Sequence, residues 1–546
     1  MLRARHRLSG DAAVLLGFAV LTVAMTWPLA QHLDTHVIRA KWFYDSMVNL
    51  QILGSRVHYA LGVSEGLKSP YDNYFVAPTQ FSVANNENHY VLAMLWAPFY
   101  LATSDPLLAY NLLLLTCMSL SGFFTYLLVR HLSGSALAGI LSGVGFAFSP
   151  YIFFELGRIQ LVAAQFIPLF ALFLHDAART GRWRSMVGLG LTFVMQVGCC
   201  LYYAVFLALY ALFVGTWLVL RHRPPMRPLL LRATLIGLLA AIPVASMLYP
   251  YFRARQDFPL TRSEQVTADY AGRLADFAQV YRDNKALTFM RNNAEGPTEP
   301  IAFPGFTLLL LATVAVIVPV VTNLRRASRQ ARITHLRNLV LLAVSVASAI
   351  AISYAARDLL PGLILLGIAG ALWRHGTSER LAPPSTFTHL CMLVLAVVLF
   401  LGPRPFAIHG EQMRGPYQYL YQHVPGLNGI RYVSRFVVLI MLSLAVLAGY
   451  GATLLLRGGR AWRGLGFAVL LAAMLYELRN APMALADLPH QAHLPPVYRW
   501  LSEHPGPEPI ATVPAYTLGY FGARNDYAAL FHHRRTIEGK SSWMPP

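Results

Sequence analysis

Long apolar runs constrain this chain more than any other feature of its sequence. A helix needs about 20 predominantly apolar residues to cross the roughly 30 Å hydrocarbon core of a bilayer. Such runs recur along nearly the whole chain and predict about thirteen transmembrane helices, several of them short enough to be tilted. The predicted spans lie near residues 12–30, 106–129, 135–152, 160–176, 186–201, 203–220, 229–249, 304–323, 337–354, 357–373, 387–402, 434–456 and 463–479.

The composition agrees with this pattern. Hydrophobic residues make up 56% of the 546 residues and charged residues only 13%, and the mean hydropathy is +0.47. A water-soluble globule cannot bury so large an apolar fraction, so the surroundings of this chain are membrane lipids. We therefore predict an all-α polytopic membrane protein.

Positive charges stand in short clusters between the apolar runs. The chain has 44 Lys and Arg against 25 Asp and Glu, but a nucleic-acid-binding protein would gather them on one face, so no nucleic acid is a predicted partner. Loops rich in Lys and Arg stay in the cytoplasm. With the predicted spans every cluster falls on one side, which predicts an inner (plasma) membrane protein with a cytoplasmic N-terminus and an external, periplasmic C-terminus. The clusters are Arg3/Arg5/Arg7, Arg130, Arg179/Arg182/Arg184, Arg221/Arg223/Arg227, Arg325/Arg326/Arg329/Arg332, Arg374/Arg380 and Arg457/Arg460/Arg463.

The long connections fall on the opposite, external side. Loops of this length are usually functional, so any chemistry is expected there. The apolar stretch 89–103 is predicted to be interfacial or re-entrant, because counting it as a span would invert every later arginine cluster. The predicted organisation is a transmembrane domain at 1–479, with external loops at 31–105, 250–303 and 403–433, and a small external segment at 480–546.

The first external loop carries the leading candidate for chemistry. After the first span, residues 41–53 mix aromatic, apolar and polar side chains, as expected for a helix lying in the membrane interface. A carboxylate such as Asp45, partly desolvated at that level, can act as a general base or bind a divalent cation. Periodicity alone favours the alternative, a solvated interfacial residue. At helical spacing one face would carry Trp42, Asp45, Asn49, Ile52 and Arg56.

Arginines at two further external positions are candidates for phosphate binding. Arg158 follows Glu155 in a short hinge between spans, where the two either pair with each other or bind substrate. Arg431 and Arg435, at i,i+4 where a span begins, either snorkel to lipid headgroups or clamp a lipid-linked phosphate. The loop at 250–303 mixes charges of both signs, including Arg262, which is typical of a solvated surface.

Other chemistries find no support in the sequence. The cysteines lie inside apolar runs without metal-ligand spacing, so neither a disulfide framework nor a zinc site is predicted. Walker, HExxH, GxSxG and Rossmann motifs are missing from any supporting context, so soluble-nucleotide chemistry and a bound cofactor are not predicted either. The four cysteines are Cys117, Cys199, Cys200 and Cys391.

A family resemblance rests on short motifs spread over most of the chain. They are Thr26-Trp27-Pro28-Leu29, the loop bearing Asp45, Tyr110-Asn111-Leu112, the run from Phe146 to Tyr151, Gln165-Phe166-Ile167-Pro168-Leu169, and the segment from Val424 to Phe436. In these motifs and their order the chain resembles the GT-C polyprenyl-phosphate-dependent glycosyltransferases, in a bacterial branch related to the dolichyl-phosphate-mannose mannosyltransferases. The resemblance implies a GT-C-like helical bundle with interfacial helices in the first external loop.

The resemblance also implies an activity. A sugar would leave a polyprenyl phosphate, with inversion, for a hydroxyl of an envelope lipid, glycan or protein on the external face. Asp45 matches the catalytic aspartate of the first loop. From position and charge alone, we predict that Arg158 and Arg435 contact the phosphate, and we add Arg431, Glu155 and Glu87, a second carboxylate of the first loop, to the predicted substrate site. Many members have two adjacent acids in this loop, whereas Ser46 follows Asp45 here. We therefore assign no metal ligands and leave a divalent cation as an alternative.

The tail resembles the start of the small external domain of such proteins. It stops at Pro546, earlier than the resemblance implies, and we expect His532 and His533 at its surface. A transporter or flippase of a lipid-linked or small polar substrate is the alternative function, although neither internal repeats nor charges at mid-span are evident. A non-catalytic scaffold is a third reading.

Overall fold

The computed structural model is almost entirely helical. It describes residues 2–257, 261–291, 301–326, 384–404, 406–408, 411–413, 415–424, 426–489, 495–513 and 519–539. The α-helices within these ranges are α1 (Leu2–Met25), α2 (Asp45–Leu61), α3 (Tyr90–Thr103), α4 (Pro106–Ser133), α5 (Ala136–Ala147), α6 (Pro150–Phe154), α7 (Ile159–Val162), α8 (Phe166–Thr180), α9 (Trp183–Cys199), α10 (Leu201–Tyr210), α11 (Thr216–His222), α12 (Met226–Asp257), α13 (Glu264–Asp269), α14 (Phe306–Arg326), α15 (Pro384–Phe400), α16 (Pro416–His423), α17 (Val437–Leu455), α18 (Arg460–Glu477), α19 (Pro496–Glu503) and α20 (Gly519–His532).

Six helical stretches in the described part of the chain are long and apolar enough to cross a membrane. They are Pro106–Ser133, Ala136–Phe154, Ile159–Thr180, Leu201–His222, Met226–Gln256 and Val433–Leu455. Shorter apolar helices cover Ser9–Met25, Tyr90–Thr103, Phe306–Thr322 and Thr386–Phe400. The chain is thus a multi-pass membrane protein. The spans predicted near 337–354 and 357–373 lie outside the described residues, so the predicted total of about thirteen is not established.

Two consecutive predicted spans are interrupted, and their breaks lie on either side of the connection at 155–158. The first ends as α5 at Ala147 and resumes as α6 at Pro150, because proline has no N–H for the preceding helix and favours a new first turn. The second begins as the single turn α7 and resumes as α8 at Phe166. Residues 155–158 between α6 and α7 form a sharp hinge.

The centre of the bundle is α17, which is buried along nearly its whole length. It packs against α5, α14 and α15. Close packing depends on small residues, since a Cβ added at Gly451 would collide with the backbone of Leu311 in α14. Without a hydrophobic force between helices in lipid, such small-residue contacts are what hold neighbouring spans together.

Helix α12 shows the opposite pattern. Only 6% of its most apolar stretch is buried in the described structure, and Leu231 and Ile242 are 64% and 69% exposed. An apolar helix this exposed is stable in contact with lipid tails and not in water.

The first connection and the C-terminal segment are packed together. Strand β1 (His36–Ile38) pairs antiparallel with β4 (Leu485–Asp487), with Val37 opposite Ala486, and α20 packs on α2. A second hairpin pairs β2 (Phe406–Ile408) with β3 (Glu411–Met413). The expectation of a surface position is wrong for His532, which is 2% exposed and whose ring stacks on Tyr498 of α19 with the centroids 5.6 Å apart.

Candidate active site

A cavity of about 300 Å³ lies where the first loop, the α6–α7 hinge and two later loops meet. Its wall is unusually rich in arginine and tyrosine for a membrane protein, in which charged groups are costly and mark functional sites. The lining residues are Trp42, Tyr44, Asp45, Val48, Asn49, Ile52, Asn86, Glu87, His89, Arg158, Gln160, Tyr202, Arg262, Tyr270, Gly429, Arg431, Tyr432 and Arg435.

Helix α2 contributes one side of the cavity through its periodicity. It begins at Asp45, and Asp45, Asn49 and Ile52 fall on one face and line the cavity as predicted from their spacing. Arg56 does not join them. Its buried guanidinium donates to Asp72 O at 2.7 Å and to Asn73 Oδ1 at 2.8 Å, so it braces the first loop instead.

The α6–α7 hinge is pressed against the start of α2. Ser46 Oγ donates to Gly157 O at 3.2 Å. A Cβ on Gly157 would lie 2.5 Å from Trp42 O and 2.7 Å from Trp42 C, closer than real side chains approach a backbone. Glycine at position 157 therefore allows the approach that brings Arg158 to Asp45.

We expect Gly157→Ala to lower stability by about 1 to 3 kcal/mol, because the added methyl group forces two backbone segments apart. Thermal unfolding in detergent measures the loss. The matched control is Gly464→Ala in α18, where an added Cβ meets nothing within 4 Å and better helix propensity stabilises by up to about 1 kcal/mol. Equal stability of the two variants would contradict the close contact.

Arg158 connects two carboxylates. Its Nε donates to Asp45 Oδ2 at 2.9 Å, and its Nη1 donates to Glu155 Oε2 at 3.3 Å. The side chain of Glu155 is fully buried, that of Arg158 is 8% exposed and that of Asp45 is 19% exposed. Glu155 thus lies behind Arg158 and outside the cavity lining, whereas Asp45 faces the cavity.

The residues around Asp45 also bear on whether a divalent cation, the alternative that the resemblance left open, could bind there. A cation held at Asp45 by the protein alone would need further oxygen ligands close by. Among the described residues no group of three or more His, Cys, Asp and Glu side chains is placed to hold a metal ion. Glu155, which pairs with the same arginine, is separated from Asp45 by the Arg158 guanidinium. The described residues around Asp45 therefore do not make up the ligand set of a resident metal.

A cluster of tyrosines and arginines forms the other side of the cavity. The guanidinium carbons of three arginines lie over the ring of Tyr432, that of Arg435 at 4.3 Å, that of Arg431 at 5.3 Å and that of Arg158 at 5.7 Å from its centroid. Such cation–π contacts hold planar guanidinium groups in fixed orientations at low cost in conformational freedom. Tyr432 thereby spaces the three positive charges around one ring.

Glu87 lies at the N-terminus of α10. Its Oε2 accepts the N–H of Leu201 at 2.9 Å, an arrangement that helix N-termini favour. Burial nevertheless raises the pKa of Glu87 from 4.5 to about 7, while the N–H of Leu201 and the charge of Arg435 oppose the rise. Neighbouring His89 is also desolvated, which lowers its pKa to about 4 and leaves it neutral near pH 7.

The raised pKa of Glu87 predicts a pH-dependent stability. Between pH 4.5 and about 7 the folded state holds a proton that the unfolded state has released, so stability falls as pH rises through this window, by about 3 kcal/mol in total. Glu87→Gln keeps an oxygen for the N–H of Leu201 and removes the titration. Denaturation profiles from pH 5 to 8 should therefore be flatter for Glu87→Gln, and unchanged for the exposed control Glu65→Gln. Parallel profiles for Glu87→Gln and the unsubstituted protein would contradict this.

The structure brings together residues that lie far apart in the sequence. Five of the six predicted site residues line the cavity, namely Asp45, Glu87, Arg158, Arg431 and Arg435. Sequence reasoning missed Arg262, because a mixed-charge loop carries no signal that tells which of its residues turn inward. It also missed the tyrosines. Of these tyrosines only Tyr432 carried a signal in the sequence, since it follows Arg431 directly and precedes Arg435 by three residues.

The fold and the cavity define a polytopic α-helical membrane protein with an arginine- and carboxylate-lined pocket built from its connecting loops. A family model described as a domain of unknown function (DUF6311) matches residues 73–359, more than half of the chain. The chain belongs to this family. Comparison with curated proteins gives no match.

Two solved structures are among those similar to this chain. ArnT from Cupriavidus metallidurans in the apo state is 14% identical, with a TM-score of 0.33, over 98% of this chain and 86% of that one. The Archaeoglobus fulgidus oligosaccharyltransferase in the apo form is 13% identical, with a TM-score of 0.39, over 97% of this chain. The chain spans 64% of the length of that protein.

Proposed function

We propose that this protein is an integral membrane glycosyltransferase of the GT-C type, which moves a sugar from a polyprenyl-phosphate donor to an envelope acceptor. The observation that carries the proposal is the meeting of Asp45 with Arg158, Arg431 and Arg435 in one cavity. A carboxylate beside clustered guanidiniums combines the two groups such a transfer needs, a proton acceptor and a site for a phosphate leaving group.

The chemistry assigns a role to each group. The acceptor hydroxyl oxygen attacks the anomeric carbon on the face opposite the leaving group, which inverts the configuration. The bond from that carbon to the phosphate oxygen breaks, and its electron pair stays on the phosphate. Asp45 takes the hydroxyl proton, and Arg435 and Arg431 stabilise the charge on the departing phosphate.

Arg158 is proposed to position Asp45. Its Nε holds one carboxylate oxygen at 2.9 Å, and the buried Glu155 behind it holds the guanidinium in turn. Such a chain of charge-assisted hydrogen bonds fixes the direction of the base before substrate arrives. Arg158 also faces the cavity, so its second role is to contact the phosphate.

The organisation around the cavity is part of the proposal. The transmembrane domain at 1–479 would place the loops at 31–105, 250–303 and 403–433 on the external face, together with the segment 480–546. The donor would enter from the bilayer, and the acceptor, a lipid, glycan or protein, from the external side. The exposed apolar surface of α12 gives an isoprenoid chain a lipid-facing surface to follow.

Reconstitution tests the proposal directly. The purified full chain in proteoliposomes receives a polyprenyl phosphate carrying a radiolabelled sugar, with envelope extract as the source of acceptors. Appearance of a covalently labelled acceptor, dependent on the protein, supports transfer. Movement of the labelled donor across the bilayer without any covalent product would instead establish the transporter or flippase alternative.

A further inference from the structure

The C-terminal segment at 519–539 lies along α2, the helix that contributes one side of the cavity. The packing of α20 on α2 is tight, since a Cβ added at Gly54 would lie 2.1 Å from Leu530 Cδ2. Near the start of the segment, the ring centroid of Tyr520 is 6.1 Å from that of Phe43, which precedes α2. The segment therefore contacts α2 and its approach along their length, and we call it the C-terminal strap.

Beyond α20 the strap pairs with the first loop. The N–H of Thr536 donates to Tyr74 O at 2.6 Å. Arg535, which is itself buried, donates from Nε to Asn73 O at 3.0 Å and from Nη2 to Thr79 O at 2.7 Å. The strap thus holds the part of the first loop that follows α2.

A pair of histidines lies where the strap meets the last turn of α2. His58 is 2% exposed, and its ring centroid is 4.8 Å from that of the half-buried His533. Both ring nitrogens of His58 are beside tyrosine hydroxyls, Nδ1 at 2.9 Å from Tyr74 Oη and Nε2 at 3.1 Å from Tyr100 Oη. A neutral imidazole has one donor and one acceptor nitrogen, so it satisfies both hydroxyl contacts without a charge.

The surroundings of the pair disfavour a proton on either ring. Tyr74 from the first loop, Tyr100 from α3 and His533 from the strap face His58, while α4 meets α2 near its beginning, beside Tyr110. Among the described residues, no carboxylate lies within ion-pair distance of His58 or His533. Burial and the charge of His533 lower the pKa of His58 to about 3, and burial also lowers the pKa of His533. Both rings are therefore neutral near pH 7.

Detachment of the strap would expose both rings to water. Each ring would then recover its ordinary pKa of about 6.5, so the detached form binds protons at pH values at which the attached form stays neutral. The attachment is accordingly strongest above pH 6.5 and weakens as pH falls toward 3. Between pH 7.5 and pH 5.0, His58 alone shifts the equilibrium about 30-fold toward the detached form.

We propose that His58 and His533 form an acid-sensitive switch, which releases the C-terminal strap from α2 and the first loop when the solution on that side of the membrane becomes acidic. The switch goes beyond the proposed function, because it needs neither a donor nor an acceptor. Release removes the contacts of the strap with α2, which begins at Asp45. Asp45 is then less firmly positioned in the cavity.

Hydrogen exchange of backbone amides tests the switch. The purified full chain in detergent is labelled at pH 7.5 and pH 5.0, and the exchange rate of each peptide is divided by its intrinsic rate at that pH. We expect the protection of the strap to fall about 30-fold or more at pH 5.0 and that of α17 not to fall, because the opening is local. Equal protection of the strap at both pH values, or an equal loss in α17, would overturn the switch.

Substitutions assign the effect to the histidine pair. In His58→Gln the fall in protection should be about 30-fold smaller. His533→Asn removes the second ring and suits the backbone, because His533 has a φ of 57°, in the left-handed region that asparagine tolerates. It should also reduce the fall, and it serves alone if His58→Gln does not fold. The control His504→Gln removes an exposed histidine of α19 and should show the full fall. A full fall in His533→Asn and in folded His58→Gln would overturn the assignment.

The switch and the proposed function fail separately. Exchange is measured without donor or acceptor, so a strap that loosens at pH 5.0 supports the switch even in a protein that transfers no sugar. Sugar transfer by a protein whose strap is equally protected at both pH values would retain the function and overturn the switch.

Discussion

Asp45→Asn is expected to lower the rate of sugar transfer by about three orders of magnitude, because the amide cannot accept the proton of the attacking hydroxyl. Its oxygen can still accept from Arg158 Nε, whose present distance to Asp45 Oδ2 is 2.9 Å, so the local geometry is retained. Donor affinity should change far less than the rate. The reconstituted assay, with binding of the donor followed separately, measures both quantities.

The control for this substitution is another acid of the same loop. Asp34 is exposed and does not line the cavity, so Asp34→Asn should transfer sugar at the rate of the unsubstituted protein. Detergent-solubilised Asp45→Asn must elute and unfold like the unsubstituted chain for its rate to be interpreted. A folded Asp45→Asn protein with undiminished transfer would rule out Asp45 as the base.

Arg158→Met is expected to destabilise the protein by about 3 to 5 kcal/mol, the cost of leaving a buried charge without its partner. Glu155 is the charge concerned, since its side chain is fully buried and its ion pair with Arg158 would be lost. Asp45 loses its ion pair at the same time, but its partial exposure to the cavity lets water replace part of that interaction. Thermal or denaturant-induced unfolding measures the effect.

A double substitution separates charge from packing. In Glu155→Gln/Arg158→Met no uncompensated carboxylate remains behind the hinge, so we expect about half or more of the lost stability to return. Transfer should stay low in the double variant, because Asp45 has no guanidinium to orient it. If single and double variants unfold alike, the buried charge is not the source of the instability, and the ion pair is not what holds the hinge.

The candidate site could be predicted from the sequence only in part. Helical spacing placed Asp45, Asn49 and Ile52 on one face because a single helix obeys a fixed local period. The same period also placed Arg56 there. Its long side chain instead hydrogen-bonds to the carbonyl oxygen of Asp72 and the amide oxygen of Asn73, and so it does not line the cavity. The helical period predicts the direction in which a Cβ points, but it does not predict where the guanidinium at the end of a long side chain such as Arg56 lies.

The position of Glu155 could not be predicted from local spacing. The i,i+3 spacing from Arg158 is compatible both with an ion pair and with substrate binding, and only the burial of the hinge in the tertiary structure distinguishes the two. Because residues 155–158 turn against the backbone of Trp42, Glu155 is directed into the protein and Arg158 toward the cavity. Arg262 was unpredictable for a related reason, as its place depends on hydrogen bonds to Asn428 and Tyr421 in a loop far along the chain.

The sequence by itself determined that this is a helical membrane protein, and it placed the candidate residues, Asp45 among them, in the connections between apolar runs, because hydrophobic length and helical period are local properties of a chain. The tertiary structure alone decided which cations surround that carboxylate. Loop-to-loop contacts set those positions, and they depend on the packing of helices hundreds of residues apart, which leaves no periodic trace in the sequence. The sequence could identify these residues only one segment at a time. The fold is what brings them into one cavity, which is lined by Asp45, Arg158, Arg431 and Arg435.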